Sequence, residues 1–131
     1  MIGIDSNVLL RYIAQDDPIQ SPKATFFIES LSSAHPGVVS LVSIAELYWM
    51  LEHIRKTGRD QIVTTFAALL NASELRIENA TVVRDALALF ATTNVDFDDC
   101  LIARTLTSAG CSSIMTFDKQ AAKSAGMTLL S

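Results

Sequence analysis

With 131 residues, half of them hydrophobic and 18% charged, the chain has the size and composition of one compact domain, which excludes a disordered polymer and a two-domain enzyme. A formal net charge of -4 excludes a protein that coats nucleic acid through a basic face, while it suits an enzyme whose acidic pocket holds cations. No apolar run approaches the roughly 18 residues of a membrane span, and Met1 to Asp5 lacks the basic start of an export signal, so a cytoplasmic protein with no membrane partner is expected.

In chain order, Met1 to Asp5 reads as a short buried strand. Val8, Leu9, Leu10, Tyr12 and Ile13 then predict a well-covered helix from Asn7 to Ala14, broken by Asp16-Asp17-Pro18. Ser21 before Pro22 predicts the next helix start, with Ala24, Phe26, Phe27, Ile28 and Leu31 on its buried side. Gly37 to Leu41 reads as a strand. Ser43 to Glu46 has the Ser-x-x-Glu form of a capping box and predicts a helix to about Thr57, ended by Gly58; Asp60 opens another to about Asn71. Leu75 to Ile77 is a third strand, followed by helices over Thr81 to Thr92 and Asp98 to Ala109, the second stopped by Gly110. A strand over Ser113 to Thr116, a short helix over Lys119 to Ser124 and a strand over Met127 to Leu130 complete the chain. Gly and Pro are sparse and no repeat or linker interrupts the order, so one domain over 1–131 is expected. Strand and helix in alternation imply an α/β fold, a three-layer α/β/α arrangement with a central parallel sheet of Rossmann-like kind. Ligands of such sheets bind beyond the carboxyl ends of the strands.

On that map Asp5 ends the first strand, Asp118 follows the strand that ends at Thr116, and Glu46 and Asp99 lie in first turns of helices. Carboxylates gathered at one crevice repel one another unless a cation neutralises them. Magnesium and manganese take oxygen ligands and are commonly held by carboxylates beside a phosphate substrate. A metal of this kind makes hydroxide available near neutral pH and offsets charge on a phosphoryl transition state, so the chemistry needs no nucleophilic side chain. Each acid also has a capping reading. Asp5, Asp98 and Asp118 stand where helices begin, Glu46 closes a capping box, and Asp96, Asp98 and Asp99 complement a helix dipole. Arg11 and Arg104 follow acidic segments by about one helical turn and are candidates for substrate phosphate, or for ordinary ion pairs. His35, His53, Cys100 and Cys111 have no partners at catalytic or zinc spacing.

Five segments carry a family likeness: Ile4-Asp5-Ser6-Asn7 with the apolar run after it, Asp16-Asp17-Pro18, Ser43-Ile44-Ala45-Glu46-Leu47, Asp96 to Ala103, and Thr116-Phe117-Asp118. In this order and spacing they resemble the PIN-domain family, in particular VapC-type toxins of bacterial toxin-antitoxin pairs, over nearly the whole chain. The resemblance implies a parallel sheet between helices, a magnesium or manganese site and endonucleolytic cleavage of RNA. It matches Asp5, Glu46, Asp99 and Asp118 to four acidic catalytic and metal-binding positions, with Asp96 a further candidate ligand after Asp99. Asn7, Thr116 and Ser6 match polar positions beside the acids, which orient carboxylates, substrate or water. Ser6 stands where Thr is frequent and keeps the hydroxyl; Cys100 stands where Ala is frequent and keeps the small volume. An antitoxin protein is the implied partner. A homodimer is expected as well, because Ile44, Leu47, Tyr48, Trp49, Met50, Leu51 and Ile54 cover more of their helix than one core-facing stripe needs. Three other readings compete: a PIN-fold binding module with a silent site, a phosphatase-like metal hydrolase, and a signalling receiver domain. Asn7 in place of a second aspartate removes the general acid of the phosphatase, and the receiver lacks its paired acids.

Overall fold

The computed structural model describes Met1 to Leu130, and the chain falls into two compact units, Met1–Ala80 and Thr81 onward. In the first unit, β1 (Ile2–Gly3), β2 (Gly37–Val39) and β3 (Leu75–Ile77) form a parallel sheet in the order β1-β2-β3, with Ile2 opposite Gly37 and Val38 opposite Arg76. Helices α1 (Ser6–Ala14) and α2 (Gln20–Glu29) lie between β1 and β2 in sequence. Helices α3 (Leu41–Trp49) and α4 (Arg59–Asn71) lie between β2 and β3. Leu9, Ile28, Val39, Ile44, Leu47, Tyr48, Ile62 and Phe66 make the core of this unit. Gly37 is fixed by close approach: a Cβ there would collide with the side chains of Ile4 and Leu31.

The second unit holds α5 (Ala80–Thr92), α6 (Phe97–Ser108), β4 (Met115–Thr116), α7 (Lys119–Ser124) and β5 (Thr128–Leu129), with β4 and β5 parallel. Its core gathers Val83, Ala86, Phe90, Val95, Phe97 and Cys100, and the Phe90 and Phe97 rings meet edge to face, 5.6 Å apart. Every described strand pairing is parallel and helices separate the paired strands, so the α/β class with a parallel sheet flanked by helices holds. The pairings form a ladder of three and a ladder of two. No described helix is long and apolar enough to cross a membrane.

Several boundaries move, for physical reasons. The second helix starts at Gln20 instead of Ser21. Asp17 Oδ1 accepts the amides of Ile19 and Gln20 at 2.9 and 2.7 Å, while the Ser21 hydroxyl donates to the Arg11 carbonyl. These amides hold the Asp17 carboxyl below its ordinary value. A depressed carboxylate stabilises the fold above its unfolded pKa, and that contribution disappears as pH falls through the folded value. Asp17→Ala is therefore expected to lower the melting temperature at neutral pH, by a deficit that shrinks below the ordinary value of 3.8 in melts taken down to about pH 2. A deficit independent of pH would show that the amide bonds are not its cause.

The largest revision concerns α3. Its N-cap is Ser40, whose Oγ accepts the Ser43 amide at 3.1 Å, so Ser43 is the third helical residue and Glu46 lies in the second turn. The capping box read at Ser43 to Glu46 does not form. Nor does α3 run on to Thr57: it passes at Met50–Ile54 into a π-helical turn closed by Arg55 N donating to Met50 O. Lys56, at φ 55, leaves the helix before Gly58, which instead begins α4 and places Asp60 within its first turn. The sixth helix begins at Phe97 with Asp96 in the cap position, so Asp98 is inside the helix and not its cap. Gly110, at φ 97, ends that helix as expected.

Candidate active site

Asp5 occupies the turn where β1 gives way to α1. As N-cap it accepts from the Asn7 amide and from Asn7 Nδ2, both at 3.4 Å, which is long for a charged acceptor and leaves the exposed carboxylate lightly held. The next residue, Ser6, is buried, and its Oγ donates to Glu46 Oε1 at 3.3 Å. Helix α1 packs on α3, which carries Glu46 across to this turn. The first unit thus brings Asp5, Ser6, Asn7 and Glu46 into one neighbourhood. With the capping box absent, Glu46 has no role in starting its helix and is an exposed carboxylate oriented by a buried hydroxyl.

In the second unit the acids crowd. One carboxylate oxygen from each of Asp96, Asp98 and Asp99 lies within 4.8 Å of the others. Asp96 makes no side-chain cap bond, and Asp98 Oδ1 accepts the Asp99 amide at 3.0 Å. Burial, first, and then the charges of Asp98, Asp118 and Asp96 push the Asp99 carboxyl above its ordinary value. Two of the predicted acids, Asp99 and Asp118, therefore feel each other directly. Asp118 caps α7 by accepting the Ala121 amide at 2.9 Å, and its own amide donates to Thr116 Oγ1 at 3.0 Å. Asp118 is both cap and site acid, so its two readings coexist. Asp98, which sequence reasoning left open between a helix cap and a further metal contact, lies in the same acid group. The available signal was three acids among the four residues Asp96 to Asp99.

Oxygen-only donors, several negative charges and an aspartate whose ionisation is disfavoured by its neighbours fit a hard divalent cation. The acids would accept the ion with little competition from other partners. No ion pair engages Asp5, Glu46, Asp96, Asp98, Asp99 or Asp118 among the described residues.

The arginines separate. Arg11 is engaged: Nη1 pairs with Asp16 at 3.2 Å and Nε donates to Gln20 Oε1 at 2.9 Å, the ion-pair arrangement that is one of its two readings. Asp16 also pairs with Arg55 at 2.6 Å. Arg104 Nε is buried without a hydrogen-bond partner among the described residues, and Arg104 lines an open cavity of about 500 Å³ with Asp85, Leu89 and Thr92. A second cavity, about 300 Å³, lies along α1 and α2 and is lined by Asn7, Val8, Lys23, Ala24 and Phe27 among others. His53 meets Trp49 in a tilted ring contact, His35 is exposed, and both cysteines are free thiols.

Residues 2–126 match the PIN domain family. The chain is also similar to a VapC ribonuclease of Aquifex aeolicus (strain VF5), 25% identical over 117 residues that cover 89% of this chain and 87% of the relative.

Proposed function

The chain belongs to the PIN domain family, and from that premise we propose that it is a divalent-metal-dependent endoribonuclease, the toxin of a toxin-antitoxin pair, folded as one domain over 1–131. The observation that carries the reading is Asp99, a half-buried carboxyl whose ionisation is disfavoured first by burial and then by the charges of Asp98, Asp118 and Asp96. The naming of the Aquifex relative as a ribonuclease supports RNA as the substrate. The continuous family match supports a single domain.

In this reading Asp5, Glu46, Asp99 and Asp118 are the acids that hold Mg2+ or Mn2+, with Asp96 as an additional ligand. The bound ion supplies Lewis acidity toward a phosphodiester oxygen and a nucleophile at neutral pH. The protein supplies orientation. Ser6 fixes one oxygen of Glu46, Asn7 bonds to Asp5, and Thr116 Oγ1 anchors the amide of Asp118. In this reading Arg104, half-buried and lining an open cavity, contacts RNA phosphate. Exposed Val42, Trp49 and Ile54 on α3 and its π-helical extension support a covered partner surface, for a second copy or for an antitoxin segment. A cytoplasmic location follows from such a partner and substrate. The silent-module reading is disfavoured by the complete set of acids.

Cleavage of a labelled RNA hairpin by purified protein is the test. It is expected to require Mg2+ or Mn2+, to stop in excess chelator, and to fall below detection in Asp5→Asn, whose amide keeps volume and capping capacity but not charge. Full activity in chelator would end the metal reading. Release of phosphate from a monoester without RNA cleavage would favour the phosphatase.

A further inference from the structure

Phe117 has no place in the acid site, yet it stands beside it. Along 114–117 the side chains alternate: Ile114 is buried, Met115 is exposed, Thr116 is half-buried and Phe117 is 79% exposed. Phe117 lies in the bend directly after β4, one residue beyond the strand's last residue Thr116. Phe66, Phe90 and Phe97, in contrast, are fully buried. Phe26 is as exposed as Phe117, but it sits on α2 with no site acid next to it.

The backbone that carries Phe117 is held on both sides. Leu130 N donates to Thr116 O at 2.7 Å, Asp118 N to Thr116 Oγ1 at 3.0 Å, and Ala121 N to Asp118 Oδ1 at 2.9 Å. The ring is therefore displayed from a fixed turn one residue from Asp118. Lys119 and Lys123 follow it, exposed and one helical turn apart on α7, the helix that Asp118 caps. An aromatic face, a flanking methionine and two cations around one acid match a nucleic-acid strand, whose bases offer π faces and whose phosphates need positive charge. A purely apolar protein partner would leave the lysines without a counterpart.

We propose that Phe117 is a substrate-contact residue on which an unpaired RNA base stacks next to Asp118, with Lys119 and Lys123 taking the adjoining phosphates. The proposal rests on the ribonuclease reading and deepens it.

The experiment compares Phe117→Leu and Phe117→Trp with the parent chain on a labelled RNA hairpin with an unpaired loop, at fixed Mn2+, reading KM and kcat separately. Leucine keeps apolar bulk and loses the ring face; tryptophan keeps the face. The expected result is a roughly 5- to 100-fold loss of kcat/KM in Phe117→Leu, carried by KM, with near-parental values in Phe117→Trp. Melting temperatures of both should match the parent, since the side chain is exposed. Parental KM in Phe117→Leu overturns stacking while the nuclease reading stands. Equal losses in both variants also overturn it, since they indicate a fitted contact to protein or neighbouring structure. Failure of the parent itself to cleave RNA removes the nuclease reading and this proposal together.

Discussion

Asp99→Asn is expected to reduce RNA cleavage by roughly 100-fold or more, beyond what loss of a metal's outer-shell partner usually costs, and to raise the melting temperature measured in chelator. The two effects have opposite signs because one charge does both things. Asp99 is half-buried among Asp96, Asp98 and Asp118, and its carboxyl is pushed above the ordinary value by burial and by these like charges. A carboxyl with a raised folded pKa is bound to its proton more tightly in the native state than in the unfolded chain. Stability therefore falls as pH rises through the interval above 3.8. Asparagine removes that penalty and keeps the volume, so the metal-free variant should melt higher than the parent near neutrality, by a margin that closes toward acid pH. Added Mn2+ should stabilise the parent and leave the variant unmoved. A variant that melts lower in chelator and still gains from Mn2+ would place Asp99 in the scaffold and outside the metal site.

Glu46→Gln is expected to leave the metal-free melting temperature unchanged and to lose both cleavage and the stabilisation given by Mn2+. The amide oxygen can still accept from Ser6 Oγ, so the one hydrogen bond recorded for this side chain survives. It brings no negative charge to a hard cation. Ser40→Ala is the contrasting control: Ser40 is the true cap of α3, and its loss should cost roughly 0.5–2 kcal/mol of stability without removing metal binding. Parental cleavage by Glu46→Gln at limiting Mn2+ would return the residue to a structural role and leave three acids in the site.

The pair Ser40 and Ser43 shows where the sequence was legible and where it was not. The local pattern Ser-x-x-Glu favours Ser43, but β2 pairs with β3 only through Val39, which leaves Ser40 at the junction between strand and helix. The first-turn amide of Leu41 is then taken by Glu78 Oε1 at 2.8 Å, from a residue 37 positions away. No local pattern carries that information. The same limit hid the pairing of Arg11 with Asp16 and the π-helical turn, because each depends on how separate segments meet. Among the described residues, periodicity and turn residues did find the twelve successive elements in outline, counting the π-helical turn as part of the third helix. The acids were legible as residue types beside strand ends and helix starts. The share of the crowding at Asp99 that comes from Asp98 and Asp96 was legible too, as three acids within four residues, whereas its burial and the approach of Asp118 were not.

Asp118 is held by its own backbone before any ligand arrives. Its Oδ1 accepts the Ala121 amide and its own amide is fixed to Thr116, so the rotamer is selected when the chain folds. A free surface aspartate would surrender side-chain freedom on meeting an ion; this one has little left to surrender. The remaining oxygen is presented in a standing orientation, and ion capture at this corner should proceed with a small entropic penalty. Asp5, with cap bonds at 3.4 Å, is looser. The two carboxylates should differ in how far they move on loading, with Asp5 the one that adjusts.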